Sequence, residues 1–337
     1  MDNIIRSNAS VREALALMED IDLLKTLFVL DEEDRLVGTL TDGDIRRGTL
    51  SGKSMEDSVS AFMHRSFRSV VEGEVDVEFL KACREKGIFL IPVLDVRGRL
   101  KDVINLKEKK SILPIDAVLM AGGQGKRLRP LTETTPKPLL KVGGKAIIDH
   151  TIDRLHSYGV NHISVTVNYL AGQMFEHFKN SPDVECVQEQ AFMGTIGSLR
   201  FVKNLGDEIL VMNSDILTQI DYEAFYLQFR HSGADMCIAT TPYDVSIPYG
   251  IMEFRNGQVK GIKEKPVFNY YANAGIYLIK KSALDLIPEG RVFDATDLVN
   301  ALAANGGKVI HFPINGIWID IGSFEEYQKA CELVARG

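Results

Sequence analysis

From Val118 to Gly144 the chain reads VLMAGGQGKRLRPLTETTPKPLLKVGG. An apolar, strand-like run ends at Ala121 and opens into Gly122, Gly123 and Gly125. Arg127 and Lys137 follow, set among Pro130, Pro136 and Pro138. Glycines let the main chain approach a ligand and turn its N–H groups toward it, which suits phosphate. Arginine meets phosphate oxygens in a two-pronged fork, whereas lysine acts as a compact point charge. The prolines hold both cations in fixed directions at low entropic cost. Two common phosphate loops are excluded. A Walker A loop needs Gly where Met120 stands and Ser or Thr where Arg127 stands, and a dinucleotide fingerprint needs Gly at Leu128.

Two carboxylates stand at the ends of apolar runs: Asp215 closes EILVMNSD and Asp320 closes GIWID. A single Asp after a strand is most often a helix N-cap, although a carboxylate at a strand end has the character that Mg²⁺ requires, since that ion takes one or two carboxylates plus waters and phosphate oxygens. The rest of the chain narrows the partners. Its 337 residues carry a formal net charge of −7, so the cations form a local anion pocket rather than a nucleic-acid surface. Cys83, Cys186, Cys237 and Cys331 have no metal-ligand spacing and are expected to be reduced. The N-terminus lacks an apolar signal region and no stretch of 18 apolar residues occurs, so a cytoplasmic protein with no membrane partner is expected.

The elements that must position these groups fall into two parts. Residues 1 to about 112 hold an internal repeat offset by 64. Val29-Leu30-Asp31 falls on Val93-Leu94-Asp95, and Arg35-Leu36 falls on Arg99-Leu100. Each copy (about 1–56 and 57–112) reads as a helix, a short apolar strand, a polar turn and a second strand. Ser10 and Glu13 form a capping box before the first helix. From Leu113 to Gly337 the pattern changes. Apolar strands (IDAVLMAG, HISVTVNY, EILVMNSD, DMCIATTP, AGIYLIK) alternate with helix-like runs, among them GSLRFVKNLG from Gly197. That alternation predicts an α/β domain with a mixed, mostly parallel sheet covered on both faces, with ligands beyond the carboxyl ends of its strands.

The first 112 residues resemble a tandem pair of CBS modules, which bind adenosine-type ligands, such as an adenine nucleotide, or simply dimerise. Thr41 and Asp44 in GTLTDGDIRRG match that family's ribose-binding pair, whereas copy two carries Asn105 and Glu108 at the same offsets. The bland reading is that both copies only pack and that Asp44 caps a helix. The glycine-and-cation run resembles the signature of sugar-1-phosphate nucleotidylyltransferases, and further motifs recur in order: NYLAGQMFEHF, EQAFMGTIGSL, MNSDIL, EKP, NAGIY and WIDIG. Ile196 and Ser214 replace the family's usual Ala and Gly.

The resemblance implies a Rossmann-like, glycosyltransferase-A type domain that joins a nucleoside triphosphate to a sugar 1-phosphate with Mg²⁺. Ala121, Gly122, Gly123, Gly125, Glu189, Gly194 and Thr195 would then bind the nucleotide, and Arg127, Lys137 and Lys265 would serve the phosphates. Tyr249, Gly250, Glu264 and Asn273 would line the sugar site, and Asp215 and Asp320 would hold the metal. Glu189 stands where relatives using UTP or dTTP tend to carry Gln. A carboxylate only accepts hydrogen bonds, which suits the adjacent donors of guanine, so GTP is favoured; the alternatives are that Gln188 reads the base or that Glu189 faces solvent. A CBS pair fused to this transferase resembles bacterial glucosamine-1-phosphate guanylyltransferases of the legionaminic acid route to surface glycans. Mannose- or heptose-1-phosphate guanylyltransferases, UTP- or dTTP-dependent homologues and a non-catalytic regulatory relative stay open. A homo-oligomer is expected.

Overall fold

A computed structural model describes residues 3–21 and 24–336. The chain divides into two compact units, Met1–Ile112 and Leu113–Gly337. In the first, β1 (Ile4–Arg6), α1 (Val11–Glu19), β2 (Thr26–Leu30), β3 (Leu36–Thr41) and α2 (Asp42–Leu50) make up one copy. The second copy consists of β4 (Val70–Val71), α3 (Val77–Glu85), β5 (Leu90–Leu94) and β6 (Leu100–Asn105). Their sheets have orders β1-β2-β3 and β4-β5-β6, parallel then antiparallel in each.

The duplication extends to single hydrogen bonds. Asp31 receives the Arg35 backbone N–H on its carboxylate at 2.9 Å, and Asp95 receives that of Arg99 at the same distance. Both turns are therefore held by an aspartate folding back on its own main chain. Arg35 and Arg99, 64 residues apart, form a bridge to one another. Ser10 caps α1 with Glu13 at the third position of a complete capping box. The copies also share a core in which Phe28, Leu30 and Leu36 meet Leu90, Leu94 and Leu100.

The second unit runs through β7 (Asp116–Ala121), α4 (Leu131–Thr134), β8 (Lys141–Val142), β9 (Lys145–Ala146) and α5 (Ile147–Ser157). Next come β10 (Ile163–Val167), α6 (Ala171–Phe178), β11 (Val184–Gln188), β12 (Glu208–Asn213), β13 (Ile216–Thr218) and α7 (Tyr222–Ser232). The chain continues through β14 (Met236–Ser246), β15 (Ile251–Arg255), β16 (Gln258–Lys263) and β17 (Val267–Lys280). It closes with α8 (Ala295–Ala304), β18 (Val309–Pro313), β19 (Trp318–Asp320) and α9 (Phe324–Arg336).

Seven strands form the main sheet in the order β11-β10-β7-β12-β17-β14-β18. β17 runs against both neighbours, and the other pairings are parallel. β10 and β7 are almost wholly buried apolar strands, as expected where helices cover both faces. Burial pushes the Cys186 thiol up to about 11 and that of Cys237 to about 12, so both are poor nucleophiles. Among the described residues no helix is long and apolar enough to cross a membrane.

Two expectations need correction. The helix expected over GSLRFVKNLG is only a 3₁₀ turn, Gly197–Phe201. Its entry is held from outside, because the Phe293 carbonyl accepts both the Ile196 and Gly197 N–H groups, and Asn204 then turns the chain at φ +58°. AGIYLIK is the end of a much longer strand. β14 and β17 run on past the sheet as a paired ribbon with the β15–β16 hairpin between them, an arm whose side chains are mostly exposed.

A chain beginning at Leu113 should fold alone and unfold in one cooperative thermal transition followed by circular dichroism. Residues 1–56 alone should show no such transition, because the core that Phe28 and Leu36 enter needs Leu90 and Leu100.

Candidate active site

The carboxyl ends of β7, β11 and β12 in the main sheet, the end of β19 in its separate pair with β13, and a short turn deliver the polar groups of the second unit. Past β7 the main chain runs through Gly122 and Gly123 to Gly125, whose φ of +59° turns it into the 3₁₀ turn Lys126–Leu128. Thr132, fully buried, donates its hydroxyl to the Gly125 carbonyl at 2.8 Å and holds the loop down. A second short turn, Lys137–Leu139, carries Lys137 inward until its residue is 9% exposed.

Lys137 Nζ donates to Asp215 Oδ2 and lies 3.8 Å from Asp320 Oδ1. Asp215 follows β12, and Ser214 donates its hydroxyl to the Met120 carbonyl at 2.8 Å, tying this turn to the glycine strand. The hydroxyl of Ser214 therefore has structural work that a glycine could not do. β13 pairs with β19, Ile216 opposite Asp320, and the Ile321 N–H donates to the Asp215 carbonyl at 3.1 Å. The two carboxylates are thereby fixed side by side. Burial, then the charge of Asp215, pushes the Asp320 carboxyl above its usual range, against the pull of Lys137 and Arg127. The guanidinium of Arg127 sits over Gly322, where a Cβ would lie 3.0 Å from its Nη2.

This pair suits a divalent ion. Asp215 Oδ1 is buried without a hydrogen-bond partner, an uncompensated acceptor that a cation would satisfy. No cluster of three or more His, Cys, Asp or Glu exists among the described residues, so the remaining ligands would be water and phosphate oxygens, the habit of Mg²⁺.

Arg127, Lys137 and Asp215 line one cavity of about 310 Å³ with Gly122, Gly123 and Glu189. Ala121, Gly125, Gly194 and Thr195 line it too. Asp320 lines an adjoining hollow that shares Arg127 and Gly322 with the first. Glu189 is 4% exposed and faces the loop closely: a Cβ on Gly122 would lie 2.5 Å from its Oε1. Burial raises its carboxyl above the usual range, offset in part by the Met193 N–H, 3.4 Å from Oε2. Gln188, by contrast, is exposed. The alternative in which Glu189 faces solvent is therefore incorrect.

Gly194 takes φ +81° against the Phe293 carbonyl, 2.7 Å from where its Cβ would stand. Thr195 donates its N–H to Asp294 Oδ1 at 2.8 Å, and Asp294 also caps α8. Sequence reasoning missed this bracing segment, although the spacing of Asp294 and Asp297 is a capping signal. It also missed Phe192 and Asn213, both in the cavity wall.

The residues expected at the sugar lie elsewhere. Tyr249, Gly250, Glu264 and Lys265 stand on or beside the exposed arm and do not line the 310 Å³ cavity. Gly250 and Glu264 are brought together, a Gly250 Cβ falling 2.9 Å from Glu264 Oε2. Asn273 donates to the Tyr277 hydroxyl at 2.8 Å and accepts the Gly275 N–H at 2.9 Å.

In the first unit a separate cavity of about 440 Å³ lies between the copies, lined by Thr41, Asp44, Arg47, His64 and Arg68. Thr41 and Asp44 also close a capping box on α2, with Thr41 Oγ1 donating to Asp44 Oδ2 at 2.6 Å and Arg47 donating to Oδ1. In copy two Asn105 donates to Glu108 at 2.8 Å and neither lines the cavity.

The family model described as nucleotidyl transferase matches residues 116–337. The chain belongs to that family. Within this nucleotidyl transferase the CBS domain model matches residues 3–50, the first copy only. It is 34% identical over 232 residues to "Probable mannose-1-phosphate guanylyltransferase 1" of Oryza sativa subsp. japonica, covering 64% of each chain. To the mannose-1-phosphate guanylyltransferase catalytic subunit beta of Xenopus tropicalis it is 29% identical, covering 63% of this chain and 62% of that one. The chain thus spans less than two thirds of the length of these relatives. HddC from Yersinia pseudotuberculosis, solved with GMP-PN, superposes with a TM-score of 0.51 at 24% identity, over 65% of this chain and 99% of that one. The fold is the Rossmann-like α/β fold with a mixed, mostly parallel sheet, preceded by a smaller CBS region.

Gly194→Ala places a Cβ against a main-chain carbonyl at a left-handed position. It should cost about 1–3 kcal/mol of stability, read as a lower urea midpoint with an unchanged slope.

Proposed function

We propose that the chain transfers GMP from GTP to a sugar 1-phosphate, forming a GDP-sugar and pyrophosphate. A phosphate oxygen of the sugar 1-phosphate attacks the α-phosphorus, and the bond to the β-phosphate oxygen breaks. Two polyanions must be brought together, so the work is positioning and charge neutralisation. Ala121 to Gly125 bring main-chain groups beside the triphosphate, and Arg127, at the mouth of the cavity, neutralises the charge that grows on the leaving pyrophosphate. Asp215 and Asp320 would hold Mg²⁺, which supplies charge neutralisation at the phosphates when bound. From the arm, Lys265 would meet the phosphate of the incoming sugar and Glu264 its hydroxyls.

The observation that carries the guanine reading is the burial of Glu189 beside Gly122. A carboxylate held there accepts from the adjacent N1–H and N2–H₂ donors of guanine, whereas uracil presents one donor between carbonyls. The guanylyltransferases among the relatives support the same base. These mannose-1-phosphate guanylyltransferases favour mannose 1-phosphate as acceptor, while the fused CBS pair favours glucosamine 1-phosphate and a product destined for surface glycans. The cavity between the CBS copies suits an adenine nucleotide, with Arg47, His64 and Arg68 near its phosphates.

A pyrophosphate-release assay of four triphosphates against hexose, hexosamine and heptose 1-phosphates, with Mg²⁺, tests the reading; no release with any pair would refute it. Arg127→Ala should lower kcat/KM by about 10²–10³ while leaving the thermal midpoint unchanged. Glu189→Gln should lower the GTP-to-UTP preference about tenfold or more. Because the carboxylate form accepts from guanine and its protonation lies above the ordinary value of 4.5, GTP affinity should fall on acidification before that value is reached. The fall should vanish in Glu189→Gln, as followed by calorimetric titration.

A further inference from the structure

We infer that Lys137 is a built-in counter-cation: its ammonium partly neutralises the Asp215–Asp320 pair in the free chain, and a divalent ion binds there tightly only once Lys137 leaves the pair, as the triphosphate draws it to do. The inference rests on the reading of Asp215 and Asp320 as the metal-holding pair and concerns how that site is loaded.

Four observations carry it. Lys137 donates to Asp215 Oδ2 and lies 3.8 Å from Asp320 Oδ1, so one ammonium serves both carboxylates. Asp215 Oδ1 is buried and unpartnered, so the ammonium satisfies only part of what the site offers. The lysine stem is held at its base, with the ammonium at the far end of a four-carbon chain: Pro136 and Pro138 flank it, and its Cβ lies 3.2 Å from where a Cβ on Gly125 would stand. Lys137 and Asp215 also line the cavity that holds the glycine loop, so triphosphate oxygens entering there would be within reach of the same tip.

The charges explain why exchange is favourable only with substrate. Two carboxylates and one ammonium sum to −1. Adding a divalent ion with the ammonium still in place puts like charges a few ångströms apart with little water between them, which opposes binding. A triphosphate provides a new partner for the ammonium and further oxygens for the ion. Nucleotide and metal then strengthen each other through one side chain, and neither loads tightly alone.

The test uses the full chain without nucleotide and Mn²⁺ as the probe, followed by electron paramagnetic resonance. Lys137→Met should bind Mn²⁺ about tenfold or more tighter than the unaltered chain, and Asp215→Asn should abolish binding in both backgrounds. Equal or weaker binding by Lys137→Met overturns the inference and leaves the metal reading standing. Absence of Mn²⁺ binding by either protein overturns both. A second measurement needs no substitution at Lys137. Mild acetylation read by mass spectrometry should label Lys137 slowly in the free chain and several-fold faster at saturating Mn²⁺. That acceleration should be lost in Asp215→Asn. An unchanged rate also overturns the inference.

Discussion

Two carboxylates held side by side in a half-buried site repel one another, and a positive charge between them relieves that cost. In this chain the ammonium of Lys137 supplies that charge. Breaking such a partly buried pair by removing one partner leaves a charge uncompensated, a much larger penalty than losing a surface ion pair. Much of the surrounding structure serves this arrangement. The β13–β19 pairing sets Asp215 and Asp320 side by side, Ser214 anchors one strand end to the glycine strand, and the proline-rich segment delivers the lysine.

Around that cluster several glycines act as missing volume rather than as flexible joints. Gly122 leaves room for the Glu189 carboxylate and Gly322 for the Arg127 guanidinium. Each functional group thus lies against bare main chain of another motif, and this explains why motifs far apart in sequence belong to one site. The buried carboxylate of Glu189 and the exposed guanidinium of Arg127 line the same cavity, an acceptor and a cation in one hollow.

The first unit shows how a duplication keeps its frame while its side chains diverge. Aspartate-held turns recur in both copies with the same spacing, because they are required for the strand pair to form. The polar pair at the end of the last strand differs between the copies, Thr41 and Asp44 in one and Asn105 and Glu108 in the other. Only the former faces the cavity between the copies.

The sequence by itself determined what depends on near neighbours. The 64-residue repeat, the capping box of Ser10 and Glu13, the apolar strands of the parallel half of the sheet and the glycine-and-cation loop were all legible, because hydrophobic periodicity, caps and turn residues act over a few positions. The change of pattern near Leu113 was equally legible. Tertiary structure alone decided which partners these groups meet. The ion pair of Lys137 with Asp215 spans 78 residues, and the brace of Thr195 on Asp294 spans 99. The helix expected at Gly197 is a single turn, with the Phe293 carbonyl accepting the N–H groups at its start and Asn204 turning the chain at φ +58° soon after its end. The arm built from β14 to β17 likewise escaped notice, since its exposed apolar residues carry the pattern of a strand without the burial that pattern ordinarily reports. Local propensity states what a segment can be. Only the packed chain settles which distant charge or carbonyl satisfies it.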